Sequence, residues 1–234
     1  MDIEASSPSD QRLAGSAAAQ AGVGIAFSCD AWVSRRAGRW SWRIRPDWYD
    51  FFSRDNVPDW LNLAACPHAV RVKENDGREV WRYQSGIRLI FVKIGRPARR
   101  WARVRRLMFR SEAAREFRAA VYAAEHRIPT VAPVAFADAP LSGRRPSSIL
   151  ITAGIPDAEA LNDFWASRAA AGQLTRLLRN QVIDLVARLL ARAHHEGFEH
   201  FDLHSGNILL EPHTGGGYRA VFVDLNNVRL NRSI

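Results

Sequence analysis

Towards the C-terminal end of this chain, His200-Phe201-Asp202-Leu203-His204-Ser205-Gly206-Asn207 places a carboxylate and an amide in one short loop, and Asp224 follows at the end of the next apolar run. Phosphoryl transfer asks a protein for positioning and charge neutralisation more than for covalent chemistry. It needs a carboxylate to orient the acceptor hydroxyl, oxygen ligands for magnesium and a cation on the nucleotide phosphates. Asp202, on a loop between a helix and a strand, can accept or orient the proton of a hydroxyl. Asn207 and Asp224 can share one cation if the intervening hairpin returns the chain beside Asn207. Turn hydrogen bonds are the ordinary use of Asp and Asn in such a loop, but here residue type and spacing match at three separate positions.

The cation is Lys93, one of only two lysines in the chain, placed at the end of the apolar run Phe91-Val92-Lys93-Ile94. Its ammonium is a compact point charge suited to phosphates; an edge-strand lysine that discourages aggregation is the bland reading. Its expected partner is a glutamate on the following helix. Glu116 borders that helix's apolar face and is preferred over Glu112, one turn earlier. Asn75-Asp76-Gly77-Arg78 carries a single glycine and reads as a hairpin turn. Arg78 can contact phosphate or lie solvated. His194, His195, His200 and His204 match no zinc spacing convincingly, and His200 is expected to hold the loop through backbone hydrogen bonds.

The elements that must position these residues follow from periodicity. Residues 1–22 are Ser-, Ala-, Gly- and Gln-rich and read as a disordered leader. A Trp-rich stretch (Trp32, Trp40, Trp42, Trp48) alternates basic and aromatic residues over Arg39–Arg45, as in a small β layer or a nucleic-acid stacking surface, the first being preferred. The β pattern continues from Ala69 to Ile94 in three runs around the Asn75-Asp76-Gly77 turn. Residues 96–110 form a strongly basic loop or short helix. Ser111 then caps a helix to about His126, with Phe117, Val121 and Ala124 on one face, ended by Ile128-Pro129-Thr130. Strands are expected at Ala132–Ala137 and Ser148–Thr152, an extended crossover after them, and a long helix over Leu174–His195 stopped by Gly197. Ile208–Leu210 and Ala220–Asp224 close the pattern as a hairpin. A β-rich half with one helix, a crossover, then helix, loop and hairpin is the order of a bilobal kinase fold of the α+β class.

Hydrophobic residues make up 47% and charged residues 24%, as in a soluble globular domain, but Lys and Arg exceed Asp and Glu by a formal +9. That surface favours an anionic partner such as a nucleotide or an acidic membrane face. Cys29 and Cys66 have no CxxC spacing, no apolar run is long enough to span a bilayer, and the start Met1-Asp2-Ile3-Glu4 is acidic where a secretory signal is basic. A cytoplasmic protein is expected.

Assembled, these residues resemble the lipopolysaccharide kinase family (Kdo kinase, WaaP and InaA-like) of the protein-kinase-like superfamily, over roughly residues 38–230. The likeness runs through Arg45-Pro46-Asp47-Trp48-Tyr49, Val80-Trp81-Arg82 before Phe91-Val92-Lys93, and Arg115-Glu116-Phe117. It continues through Ile128-Pro129-Thr130-Val131, Gly197-Phe198, His200–Leu210 and Val223-Asp224-Leu225. The resemblance implies ATP and magnesium as co-substrates, and as acceptor a sugar hydroxyl of a phosphorylated glycolipid (lipid A–core oligosaccharide) at the inner face of the cytoplasmic membrane, with no nucleic acid as partner. It assigns Lys93 to the phosphates, Glu116 to Lys93, Asp202 to the base role, and Asn207 with Asp224 to the metal. Ser148–Ile155 becomes the interlobe hinge, with Thr152 and Ala153 meeting adenine. The domains expected are a leader (1–22), a β-rich N-lobe (23–150) and a hinge with a partial, helical C-lobe (151–234); since relatives continue with further helices after Asp224, the expectation is either a truncated reading frame or a minimal lobe. Phe201 stands where kinases commonly have arginine, and Leu225-Asn226 replace the usual Phe-Gly.

Two rivals share the loop. One is a small-molecule kinase of the aminoglycoside or choline type, which commonly begins this loop His-Gly-Asp and has a larger acceptor lobe. The other is an inactive pseudokinase acting as a binding module, against which Lys93, Asp202, Asn207 and Asp224 are all intact. A basic nucleic-acid-binding protein rests on charge and tryptophan content alone.

Overall fold

Alternating polar and apolar residues build the first layer. The computed structural model describes residues 32–53, 59–75, 77–96, 111–142, 145–213 and 216–231; the expected leader and all but Arg96 of the basic stretch at 96–110 lie outside them. Seven antiparallel strands form one sheet: β1 (Val33–Ala37), β2 (Trp40–Ile44), β3 (Ala69–Asn75), β4 (Arg78–Ser85), β5 (Arg88–Gly95), β6 (Pro133–Asp138) and β7 (Ser148–Ala153). Their order is β1-β2-β6-β7-β5-β4-β3. The Trp-rich stretch is thus a β-hairpin with Val33 opposite Ile44 and Ala37 opposite Trp40. Trp40, Trp48, Trp60 and Trp81 are buried, so these rings form a packing layer and not a stacking platform.

The period of two sorts β5 into two faces. Ile90, Val92 and Ile94 face a core with Ile149, Ile151, Trp40, Ile44, Trp60 and Leu63, capped by short helical turns, among them α1 (Tyr49–Ser53). Phe91 and Lys93 alternate with them and therefore face the other way. On that second face lies α2 (Glu112–Glu125), whose N-cap Ser111 accepts a hydrogen bond from the Ala114 amide at 2.9 Å. Phe117 and Val121 of α2 pack on Phe136 and Leu150, with the Phe117 and Phe136 rings stacked at 5.2 Å. Ile128 ends the helix through its amide bond to Ala123.

The rest of the chain forms a second core. It holds β8 (Glu159–Ala160), α3 (Leu161–Ala170), α4 (Arg176–His195), β9 (Phe198–His200), β10 (Ile208–Pro212), β11 (Tyr218–Phe222) and β12 (Val228–Leu230). Thr175 caps α4 by accepting from the Leu178 amide at 3.1 Å, and Gly197 ends it at φ +67, where a β-carbon is disfavoured. Phe164, Leu189, Phe198, Leu210, Phe222 and Leu225 are buried together with Ala119, Ala120 and Ala123 of α2. Burial of a side chain such as Phe222 is worth about 2–3 kcal/mol.

Two features differ from the sequence reading. The crossover after β7 is not extended throughout, for α3 occupies Leu161–Ala170. Only Phe164 of α3 is fully buried and Ala160 gives it no side-chain cap, so the helix lacked both the apolar stripe and the start signal that periodicity needs. The second hairpin strand ends at Phe222, and Asp224 lies beyond it in the left-handed region at φ 57.

Candidate active site

A cavity of about 290 Å³ separates the two cores. Much of its wall is apolar, with Val72, Val80, Phe91, Val131, Ile155, Ala158 and Leu209; Arg78, Lys93 and Asp224 converge at one end with Asn207, and Lys73 and Asn75 also line it. An apolar slot leading to converging charges suits a ligand with a flat ring and an anionic tail. A second cavity, of about 270 Å³, lies on the opposite face of the large sheet among Trp40, Trp42, Phe52 and Trp60, and among the described residues Arg35 and Asp59 are the charged ones that line it.

Four charged side chains meet at the polar end, each from a different element. Lys93 of β5 donates to Glu116 Oε1 on α2 and lies 3.4 Å from Asp224 Oδ1. Arg78, the first residue of β4, donates to Asp224 Oδ1 at 2.9 Å and to Glu116 Oε2 at 3.4 Å. Glu116 is 3% exposed, and both its oxygens are engaged, Oε1 by Lys93 and Oε2 by Arg78. The choice of Glu116 over Glu112 follows the geometry. Burial alone would raise the Asp224 carboxyl, but the charges of Lys93 and Arg78 and their hydrogen bonds outweigh it and hold it below the usual carboxylate range. Burial likewise opposes charge on Arg78, and the Glu116 and Asp224 carboxylates overcome it, holding its pKa above the ordinary arginine value.

Loop and hairpin geometry bring Asn207 to Asp224. Ile208 pairs with Phe222 in the β10–β11 ladder, and the Val223 amide donates to the Asn207 carbonyl at 3.0 Å. The Asn207 side-chain Nδ2 donates to the backbone carbonyl of Asp202 at 2.8 Å, which leaves Oδ1 on the opposite side of the amide. The turn hydrogen bond and the ligand role are therefore compatible in one residue. Asp202 itself is exposed at the mouth of the loop. His200 Nε2 lies 3.3 Å from the Val223 carbonyl, and the His204 ring accepts from the Gly206 amide at 3.1 Å; these histidines brace the loop. Among the described residues no group of three His, Cys, Asp or Glu gathers to hold a metal. An amide oxygen and a carboxylate are the hard ligands magnesium takes when substrate phosphates complete its shell, so the residues present fit that ion.

The hinge positions divide. Thr152, Gly154 and Ile155 line the cavity and Ala153 does not; the Ala153 and Gly154 amides are committed to the Ala132 and Leu89 carbonyls, each at 2.8 Å. Sequence reasoning singled out Ala153 where Gly154 and Ile155 of the same Ser148–Ile155 segment line the cavity, and it underrated Arg78. Register holds the signal for Arg78, since Val80 faces Lys93 across the β4–β5 pair and Arg78 stands two residues before Val80 on the same side.

With this geometry in hand, comparison with known proteins is informative. The family model described as the lipopolysaccharide kinase (Kdo/WaaP) family matches residues 77–233. Curated protein sequences give no match. Among solved structures the chain is similar to one described as "WaaP in complex with acyl carrier protein", at 21% identity with a TM-score of 0.57, covering 80% of this chain and 71% of that one. That likeness extends to the bilobal kinase-like fold.

Proposed function

The chain belongs to the lipopolysaccharide kinase (Kdo/WaaP) family, and from that premise we propose that it transfers the γ-phosphoryl group of ATP, in a magnesium-dependent reaction, to a sugar hydroxyl of lipopolysaccharide core, lipid A or a similar glycolipid. The observation that carries the reading is the Lys93–Glu116 pair set against Asp224 at the polar end of a ring-sized apolar cavity.

In this reading adenine lies in the apolar end, between Val80 and Phe91 above and Leu209 below, near Thr152 and the Gly154–Ile155 backbone. Lys93 binds the phosphates and Glu116 keeps its ammonium in place. Arg78 adds a second positive charge near them. Asn207 Oδ1 and the Asp224 carboxylate would hold magnesium, whose charge would offset that developing on the transferred phosphoryl group. Asp202 orients the acceptor hydroxyl and takes its proton as the new P–O bond forms. The exposed position of Asp202 suits an acceptor that arrives from outside the cleft. No described helix is long and apolar enough to cross a membrane, so contact with a glycolipid is assigned to peripheral association of the basic surface with anionic headgroups.

The test is magnesium-dependent ATP binding and turnover by the wild type and by Asp202→Ala. Wild-type turnover, and binding without turnover in the variant, are expected. A wild type that neither binds nor hydrolyses ATP would leave the pseudokinase reading in its place. Transfer of labelled phosphate to deacylated core oligosaccharide, set against transfer to a soluble amino-sugar or choline, separates the glycolipid acceptor from the small-molecule one.

A further inference from the structure

Arg78 does more in this cleft than stand near the phosphates. Its Nη2 lies 2.9 Å from Asp224 Oδ1, the same oxygen that Lys93 approaches at 3.4 Å. One carboxylate oxygen on the metal-binding candidate thus carries two cations. Glu116 also contacts both, at 3.4 Å on the Arg78 side. The guanidinium is 14% exposed in its side chain, so it is not a solvated arginine that happens to pass the site. Two cations against two carboxylates make a neutral set.

A divalent ion entering this set alone meets an occupied ligand and two positive neighbours at close range. Like charges at hydrogen-bonding range repel strongly in a partly buried site, and a divalent ion more than a monovalent one. Triphosphate changes the balance by offering Arg78 and Lys93 oxygens that are more anionic than a shared carboxylate. Arg78 follows Gly77 at the start of β4, beside the β3–β4 turn, and lines the cavity, so rotation of its long side chain can carry the guanidinium from Asp224 to the phosphates.

We propose that Arg78 is a counter-ion gate: in the empty cleft it holds the Asp224 oxygen that a metal needs, and it releases that oxygen to the metal when nucleotide phosphates draw it away. The gate rests on the kinase reading above and adds to it a linkage, in which nucleotide and metal each bind poorly to the cleft without the other. By reciprocity the two affinities are coupled by the same factor.

Manganese serves as the probe ion, its free fraction read by electron paramagnetic resonance, with ADP as the nucleotide. In the wild type, ADP should tighten manganese binding to the protein by tenfold or more, corrected for Mn·ADP formation in solution. Arg78→Gln should bind manganese without nucleotide about tenfold more tightly than the wild type, equivalent to ~1.4 kcal/mol, and should bind metal-free ADP more weakly. Arg78→Lys, which keeps the charge, should restore the wild-type weakness towards manganese alone. The inference is overturned if Arg78→Gln binds manganese no more tightly than the wild type while both bind Mg·ATP. It is equally overturned, without recourse to any variant, if ADP leaves wild-type manganese affinity unchanged. A wild type that binds neither ADP nor Mg·ATP removes the inference together with the kinase reading, an outcome distinct from either of these.

Discussion

Replacing Lys93 by Met and Glu116 by Gln, singly and together, separates the mutual attraction of this pair from what each residue does alone. The Glu116 side chain is 4% exposed and that of Lys93 13%. Removing one member of a buried ion pair costs about 3–5 kcal/mol when its partner is left with no counter-ion. Here neither is so abandoned. In Glu116→Gln, Lys93 and Arg78 keep Asp224 at 3.4 and 2.9 Å; in Lys93→Met, Glu116 keeps Arg78 at 3.4 Å. Each single change is therefore expected to cost about 2 kcal/mol, a fall in Tm of about 4–8 °C for a chain of this size. The double variant leaves Arg78 with Asp224 and places a methionine stem against an amide. It should cost about 2 kcal/mol rather than 4, a coupling of about 2 kcal/mol. Urea titration followed by tryptophan fluorescence measures all four corners of the cycle. If the two single losses simply add, to within about 0.5 kcal/mol, the pair is not coupled and the electrostatic account of this site is wrong.

Acid unfolding tests Asp224. Its folded carboxyl lies below the ordinary range, so the stability it contributes is complete above its unfolded value of about 3.9 and is lost as the pH falls through the lower folded value. The stability gap between wild type and Asp224→Asn should stay constant from pH 7 to 5 and narrow below about pH 4; a gap that widens with acid contradicts this. Gly197→Ala puts a β-carbon on a residue at φ +67 and drives it into the Asn231 carbonyl, whose amide bonds back to Gly197 at 2.8 Å. A loss of about 2–3 kcal/mol is expected from strain and the displaced bond, measured by the same titration; a neutral result would show that the turn relaxes freely. Asp202→Ala should leave Tm within about 1 °C, since only its backbone carbonyl is engaged by Asn207.

How far the sequence could reveal this molecule depended on where each signal is stored. Ser111 and Thr175, each three residues before the amide it caps, announce their helices locally, and Gly197 announces an end. Strand β5 was visible because its apolar run is interrupted by a single charge, and that charge is Lys93. Glu116 could be chosen over Glu112 because it sits beside Phe117 on the packed stripe. Helix α3 was not legible, since a segment that buries one phenylalanine carries almost no period. The bend at Asp224 was hidden for another reason. A non-glycine left-handed residue is held by its neighbours, here through Val223 bonded to Asn207, and the sequence does not record that contact. Arg78 is the most telling case. Its local surroundings say hairpin, and its partners lie 38 and 146 residues away.

Helix α2 has one further consequence, arising from its alanines. Ala113 and Ala114, with Phe117 and Val121, belong to the packing against the large sheet, while Ala119, Ala120 and Ala123 belong to the core of the other lobe. The Tyr122 hydroxyl adds a 2.6 Å bond to the Glu196 carbonyl, and Arg192 holds the His126 carbonyl at 2.8 Å. Kinases that switch by swinging the helix bearing this glutamate away from its lysine need that helix loosely seated on one side. Here such a swing would unseal two hydrophobic interiors at once, at about 0.8 kcal/mol for every methylene-sized group returned to water. Helix α2 thus acts as a fixed axle between the lobes, and under the proposed kinase reading control would fall to what enters the cleft.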